Sequence, residues 1–156
     1  MGIRILAVGQ KLPDWMNRGF EDYARRFPRG QSVELREIAL ARRAGGQTVE
    51  RLQRQEADAL LRQRQPGSLM IALDERGRQW SSREWGEQYR RWQQESPKVD
   101  FLLGGPDGLH PQLRDEAGIT LSLGRMTLPH GLARVVLIEQ LYRAWSLSQG
   151  HPYHRE

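Results

Sequence analysis

Three short runs constrain this chain more than anything else in it: Ile3 to Val8, Leu69-Met70-Ile71-Ala72-Leu73, and Val99 to Leu103. Each is nearly continuous in apolar residues and lacks the alternation of a half-solvated strand. That is the pattern of strands covered on both faces, and such strands belong to parallel sheets. Parallel neighbours need crossover connections, usually helical ones. The intervening segments provide them. After Ile3–Val8, Asp14 can cap a helix running to about Phe27, with Met16, Phe20, Tyr23 and Phe27 on one stripe and Pro28 and Gly30 ending it. Val33 to Leu40 reads as a second strand and Arg42 to Gly46 as a basic loop. Thr48 to Gln65 follows as a charged helix with a thin stripe of Val49, Leu52, Ala59 and Leu60. Ser68 to Leu73 is a strand that turns at Asp74-Glu75-Arg76-Gly77. Ser81-Ser82-Arg83-Glu84 is a capping box opening a helix with Trp85, Tyr89 and Trp92 on one face. Val99–Leu103 comes next, then a short helix from Pro111, a strand Ile119–Leu123, a long helix from Pro129 to Ser148, and a tail His151–Glu156. The expectation is a single α/β domain over residues 1–156, with a mainly parallel sheet and helices on both faces.

The last helix adds a constraint. Leu132, Val135, Val136, Leu137, Ile138, Leu141, Tyr142 and Trp145 wrap most of its circumference. A helix apolar on nearly all sides must be buried on more than one. One side is the sheet. The other is either the rest of the chain or a second copy, which makes a homodimer the expectation.

Composition excludes several classes. There is no cysteine among the 156 residues, so disulfides, thiolate metal sites and cysteine nucleophiles are ruled out. No apolar run approaches the ~20 residues of a membrane helix, and the N-terminus lacks the features of a signal peptide. No membrane partner and a cytoplasmic location are expected. The 24 basic residues exceed the 19 acidic ones, for a net charge of +5, and only Lys11 and Lys98 are lysine. An arginine-dominated surface suits phosphate and base recognition, although a solvated face reads the same way.

Ligands of open α/β sheets bind beyond the carboxyl ends of the strands. Three such ends here are unusual: Leu73-Asp74, Leu103-Gly104-Gly105-Pro106-Asp107-Gly108, and Leu123-Gly124-Arg125-Met126-Thr127-Leu128-Pro129-His130. Glycine pairs let a ligand approach the backbone where a Cβ would collide, and they also make ordinary turns. Pro129 suits a first helical turn. The dinucleotide fingerprint, the Walker pattern and the G-x-S-x-G elbow are all absent. His151 and His154 lack further clustered ligands, so no metal is expected. Asp74, Glu75 and Asp107 fit turn caps better than an acid–base pair.

Taken together, Leu102–Leu109, Ser122–His130, Glu139-Gln140-Leu141-Tyr142-Arg143-Ala144-Trp145 and the tail His-Pro-Tyr-His-Arg-Glu closely resemble the RlmH family. Ala7-Val8-Gly9, Pro13-Asp14-Trp15 and Arg26-Phe27-Pro28 fit it too, so the likeness runs end to end. Its least similar stretch, Ala41 to Gln65, is expected to affect only local surface contacts. These are SPOUT-class methyltransferases that use S-adenosylmethionine to methylate N3 of a pseudouridine in 23S ribosomal RNA of the large subunit. The resemblance implies an α/β-knot fold with a C-terminal trefoil knot, which sequence pattern alone would argue against. It also implies a homodimer, the ribosome as partner, and S-adenosylmethionine held by Leu73, Gly104, Leu123, Gly124, Arg125, Met126, Thr127 and Leu128. Candidates for catalysis are Tyr142, Arg143, Tyr153, His154 and Arg155, with Arg125 as a further cation. Tyr142, His130, Tyr153 and His154 are candidates for proton handling or base stacking, unless His130 merely caps the last helix and Tyr142 belongs to the core. Two other functions share some of these features. A noncatalytic RNA-binding α/β module would share the charge, and an enzyme acting on a small phosphorylated metabolite would share the glycine loops.

Overall fold

The computed structural model describes residues 2–43, 45–95 and 98–155, with the side chain of Arg155 excepted. Ala44 of the expected basic loop and Glu156 of the tail lie outside the described residues. Five strands form one sheet in the order β2-β1-β4-β3-β5, every neighbouring pair parallel. The strands are β1 (Gly2–Val8), β2 (Val33–Ile38), β3 (Leu69–Gln79), β4 (Lys98–Leu103) and β5 (Ile119–Ser122). The helices are α1 (Asp14–Ala24), α2 (Val49–Arg62), α3 (Ser82–Glu95), α4 (Pro111–Glu116) and α5 (His130–Gln149). A 3₁₀ turn over Pro152–Arg155 ends the described chain.

Strand alternation divides the core as expected. On one face Ile3, Ile5, Ile71, Val99, Phe101 and Leu121 pack against α1, α3 and α5. On the other, Leu6, Val8, Met70, Ala72 and Leu102 pack with Ala57 and Leu60 of α2 and Leu113 of α4. Trp85 and Trp92 close on Phe101, with ring centroids 6.0 and 5.9 Å away. The capping box forms as read. Glu84 N donates to Ser81 Oγ at 3.1 Å, and Ser81 N to a Glu84 carboxylate oxygen at 3.0 Å. Asp100, the one charge in its apolar run, is fully buried and takes hydrogen bonds from the Ser68 hydroxyl and from the backbone and side chain of Gln65. A buried carboxylate is tolerated only when it is satisfied in this way.

Several boundaries differ from the sequence reading. Asp14 is the first helical residue rather than a cap, preceded by Pro13, and it pairs with Arg18 one turn on. The helix ends at Ala24, three residues before Phe27. On α2 the buried stripe is Leu52, Glu56, Ala57 and Leu60, whereas Val49 is exposed. Pro129 caps α5 from outside the helix instead of sitting in its first turn. The last helix finds much of its cover within its own chain, since α1 and α3 flank it on the sheet.

The largest difference is at Asp74–Gly77. β3 does not turn there; it continues to Gln79 with a register shift against β5. Leu73 pairs with Leu121, and pairing resumes with Arg78 against the same Leu121. Four residues are thereby extruded as a bulge, and such features occur next to active sites. Gly77 makes the return possible, because a Cβ there would lie 2.6 Å from Leu121 N. Gly77→Ala should therefore force the β3–β5 edge apart and cost about 1–3 kcal/mol, the usual range for overpacking. A lowered urea midpoint with unchanged m-value is the expected result.

Candidate active site

The bulge of β3 and the carboxyl ends of β4 and β5 open onto a cleft of about 650 Å³. A volume of that size falls within the range of small-molecule sites, ~300–1,000 Å³. Of the eight residues assigned to the cofactor from resemblance, seven line it: Leu73, Gly104, Leu123, Gly124, Met126, Thr127 and Leu128. Arg125 is not among the lining residues. Leu73, Leu103, Leu123 and Leu128 offer apolar walls, while the 104–108 and 122–128 segments bring backbone groups. The β3 bulge contributes Asp74, Glu75 and Arg76. Burial works against ionisation of Asp74, but the Arg76 side chain and backbone, with the Arg114 charge, hold its carboxyl below the usual range. Asp74 is thus a carboxylate paired with Arg76 at 3.1 Å and Arg114 at 3.4 Å, beside an apolar slot.

The glycine segment is a tight turn. Gly108 N donates to Gly105 O at 2.9 Å across Pro106-Asp107, the favoured sequence order for such a turn. Gly104 is required for a reason the sequence did not disclose. A Cβ there would lie 2.5 Å from the Gly108 carbonyl carbon, so the close approach is made by the chain itself. The turn is tied down by the stretch expected to matter only at the surface. Arg43 bridges Asp107 at 2.8 Å and Glu56 at 3.5 Å, and Gln53 donates to the Asp107 carbonyl at 2.6 Å. On the opposite wall, Gly124 N donates to Ser122 Oγ, which in turn donates to Gly124 O.

His130 stands where α5 begins, at the cleft edge. It does not cap the helix; its ring turns to Arg134, whose Nε donates to His130 Nε2 at 3.1 Å. Arg134 is only 1% exposed, and it also donates to Glu37 at 2.7 Å and to the Gly9 carbonyl at 2.6 Å. Burial and the Arg134 charge push the His130 pKa down to about 4, against the opposing pull of a hydrogen bond to the Gly104 backbone and of the Glu37 charge. The imidazole is thereby held toward its neutral form.

The residues expected to catalyse gather elsewhere. Tyr142 and Arg143 lie 12 and 13 positions along α5 from His130, about 18–20 Å at the helical rise. There the tail folds back. Tyr153 packs edge-on to Tyr142 at 4.8 Å, shares a 2.9 Å hydroxyl contact with Tyr23, and donates to Glu139 at 3.1 Å. Arg143 also bonds Glu139, at 2.7 and 3.0 Å, and lies 5.1 Å from the Tyr153 ring centroid. Arg26 covers the Tyr23 ring at 4.4 Å. Ser146 accompanies His154 at 2.9 Å and donates to the His151 carbonyl. Tyr142 is buried among Phe27, Trp145 and Tyr153, so its position is that of a core residue. Burial, with the Tyr23 and Glu139 contacts, pushes the Tyr153 hydroxyl up from its ordinary value, making it a donor rather than a base. The Arg155 side chain lies outside the described residues.

Leu73, Gly104, 123–124 and 126–128 come together at the cleft, while Glu37, Tyr23, Arg26, Glu139 and Arg134 had no role in the sequence reading. The i,i+4 spacings His130–Arg134 and Glu139–Arg143 were the available signals. No group of three or more His, Cys, Asp or Glu side chains placed to hold a metal occurs among the described residues, nor does a helix long and apolar enough to cross a membrane.

Comparison with known proteins agrees with this geometry. A family model described as "Predicted SPOUT methyltransferase" matches residues 1–154. A Burkholderia multivorans protein named ribosomal RNA large subunit methyltransferase H is 48% identical over 158 residues, with 99% of each chain covered. One of the same name from Burkholderia ambifaria is 46% identical with the same coverage. Among solved structures, a probable methylase family protein from Haemophilus influenzae Rd KW20 superposes with a TM-score of 0.53 at 13% identity, covering 97% of this chain and 69% of that one, which speaks to the fold alone. With its parallel sheet, its cleft formed by the β3 bulge and the ends of β4 and β5, and an end-to-end match to the family model, the chain is a member of the SPOUT methyltransferase family.

Proposed function

We propose that this chain is a single-domain, S-adenosylmethionine-dependent methyltransferase that modifies N3 of a pseudouridine in 23S ribosomal RNA, acting on ribosomes in the cytoplasm as a homodimer and without metal. One observation carries the reading: seven residues assigned to the cofactor from sequence motifs, drawn from three separate segments, line one cleft. The full-length relatives named as large-subunit methyltransferases support the substrate. In this reading the chain after β5 threads the family's knot, which brings 123–128 against the β3 bulge and the loop after β4.

When bound, S-adenosylmethionine supplies a methyl group already activated by positive sulfur. The chain's work is then binding, orientation and charge. Leu73, Leu123 and Leu128 would offer the apolar walls for the adenine, and the Gly104 and 123–128 backbone groups would hold the cofactor by hydrogen bonds. Asp74 accepts hydrogens from hydroxyls or the ammonium. The target N3 is a weakly acidic imide that must lose a proton, so cations and donors near the base oxygens stabilise the developing charge. Arg143 and Arg155 fill that role, with Tyr153 beside them for base stacking and Arg125 outside the cleft lining as an RNA contact. His154 is placed for stacking or proton handling, and Tyr142 holds Tyr153 in position.

Because about 18 Å of helix separates a chain's own cleft from its tail cluster, the dimer has a function in this reading. One protomer's tail serves its partner's cleft. The half-buried stripe Leu132, Val135 and Val136 on α5 is the proposed contact.

Two outcomes test this. S-adenosylmethionine at ~100 times its Kd should stabilise the fold by about 2.7 kcal/mol in thermal unfolding. Ala133→Phe, which places a ring in the cleft, should abolish the effect; no shift for the unaltered protein at millimolar cofactor removes the methyltransferase reading and leaves the RNA-binding module. Second, deletion of residues 151–156 should leave cofactor affinity within about threefold and abolish labelled methyl transfer to ribosomes lacking the modification. Mixing tail-deleted with Ala133→Phe subunits should restore transfer, because one site in each mixed dimer is then complete. Full activity in the truncated protein alone refutes a role for the tail.

A further inference from the structure

The turn that bounds the cleft after β4 is built from residues that hold no shape by themselves. Three of its five residues, Gly104, Gly105 and Gly108, are glycine, and Gly108 has φ +77°. Its internal backbone bond runs from Gly108 N to Gly105 O at 2.9 Å. Glycine has more backbone freedom to lose than any other residue. A ligand held by such a segment binds more weakly by the cost of ordering it, unless the protein has ordered it beforehand.

That ordering comes from α2 and the segment before it. Glu50, Gln53 and Glu56 follow one another at three-residue spacing along one side of the helix. Gln53 Nε2 donates to the Asp107 carbonyl at 2.6 Å. Glu56, only 3% exposed, accepts from Ala41 N at 3.0 Å and pairs with Arg43 at 3.5 Å. Arg43 reaches on to the Asp107 carboxylate at 2.8 Å. Just past the turn, His110 Nδ1 accepts from Gln112 N, so its Nε2 carries the proton and donates to Glu50 at 2.9 Å. Beneath these contacts Ala57 and Leu60 share an apolar cluster with Leu109 and Leu113. Asp107 is therefore gripped at both of its acceptor groups by side chains that do not line the cleft. We infer that Arg43 and Gln53 are positioning residues for the cofactor cleft, holding the 104–108 turn in its binding shape through Asp107, whose carboxylate is their point of attachment and not a cofactor ligand. This inference rests on reading the cleft as the S-adenosylmethionine site.

Two sets of variants test the clamp. Gln53→Glu is nearly isosteric but removes the donor and turns a carboxylate toward the Asp107 carbonyl, whereas Gln53→Lys restores a donor. Titration calorimetry with S-adenosylmethionine should find Gln53→Glu weaker by about tenfold and Gln53→Lys within about threefold of the unaltered protein, with both melting near the parent temperature. In turnover assays Gln53→Glu should raise the KM for the cofactor and leave that for ribosomes unchanged. Without cofactor, exchange of the Gly108 amide with solvent should quicken in Gln53→Glu and not in Gln53→Lys. Arg43→Met and Asp107→Asn should each weaken cofactor binding, and the double variant should bind no more weakly than the worse single one, because one shared interaction is lost once. If the Asp107 carboxylate met the cofactor directly, the two losses would multiply. Multiplied losses, or a Gln53→Glu protein that binds as tightly as the unaltered one, overturn the clamp and leave the cleft reading standing. Failure of the unaltered protein to bind S-adenosylmethionine at millimolar concentration overturns the cleft reading, and the clamp with it.

Discussion

Everything in this molecule is arranged around the burial of α5. The helix carries apolar residues on all sides, so no single sheet face can accept it. It is accommodated in a trough on the sheet with α1 on one flank and α3 on the other. That placement fixes both of its ends. His130 arrives at the carboxyl ends of the strands, beside the cleft, and Tyr142 to Ser146 arrive at the aromatic cluster formed with Tyr23, Phe27 and the tail. One hydrophobic requirement thus sets the distance between two sets of chemically equipped residues.

The polar groups on α5 fit the same constraint. Arg134 occurs where the helix passes over the ends of β1 and β2, and it is the only cation placed to satisfy Gly9 O and Glu37 together among the described residues. Glu139 lies further along and accepts from both Arg143 and Tyr153, which anchors the tail. A terminal segment of six polar residues would ordinarily fray. Here residues 151–154 are held by an edge-on ring contact, a hydroxyl pair and a carboxylate.

How much of this was legible beforehand depended on the kind of physics involved. Strand identity, parallel pairing and two-sided helical cover followed from Leu69–Leu73 and Val99–Leu103, because continuous apolar runs have few other homes. The Ser81–Glu84 cap and the Gly105–Gly108 turn were legible because they are local. The β3 bulge was not, since Asp74–Gly77 has the composition of a turn and only pairing with a distant strand extends it. Gly104 could be read as important but not why: the atom it makes room for belongs to Gly108. The site followed the same division. Motif resemblance gathered the cleft residues, while the pair of buried Arg134 with Glu37, 97 residues apart in sequence, had no local signature. The arginine- and glutamine-rich stretch looked like surface, yet Arg43, Gln53 and Glu56 brace the glycine turn.

The strand order carries one more consequence, for the way the chain is made. β1 and β3 are not neighbours; β4 lies between them and pairs with both. As the chain emerges during synthesis, β1 and β2 can join, but β3 has no edge to dock on until residues 98–103 arrive. Its exposed apolar run Leu69–Leu73 waits in the meantime. Non-local pairing of this kind slows folding and leaves strand edges open. The charged helix α2 precedes that run and the capped helix α3 follows it, and the fourth strand then joins β3 to β1 and leaves the far edge of β3 for β5.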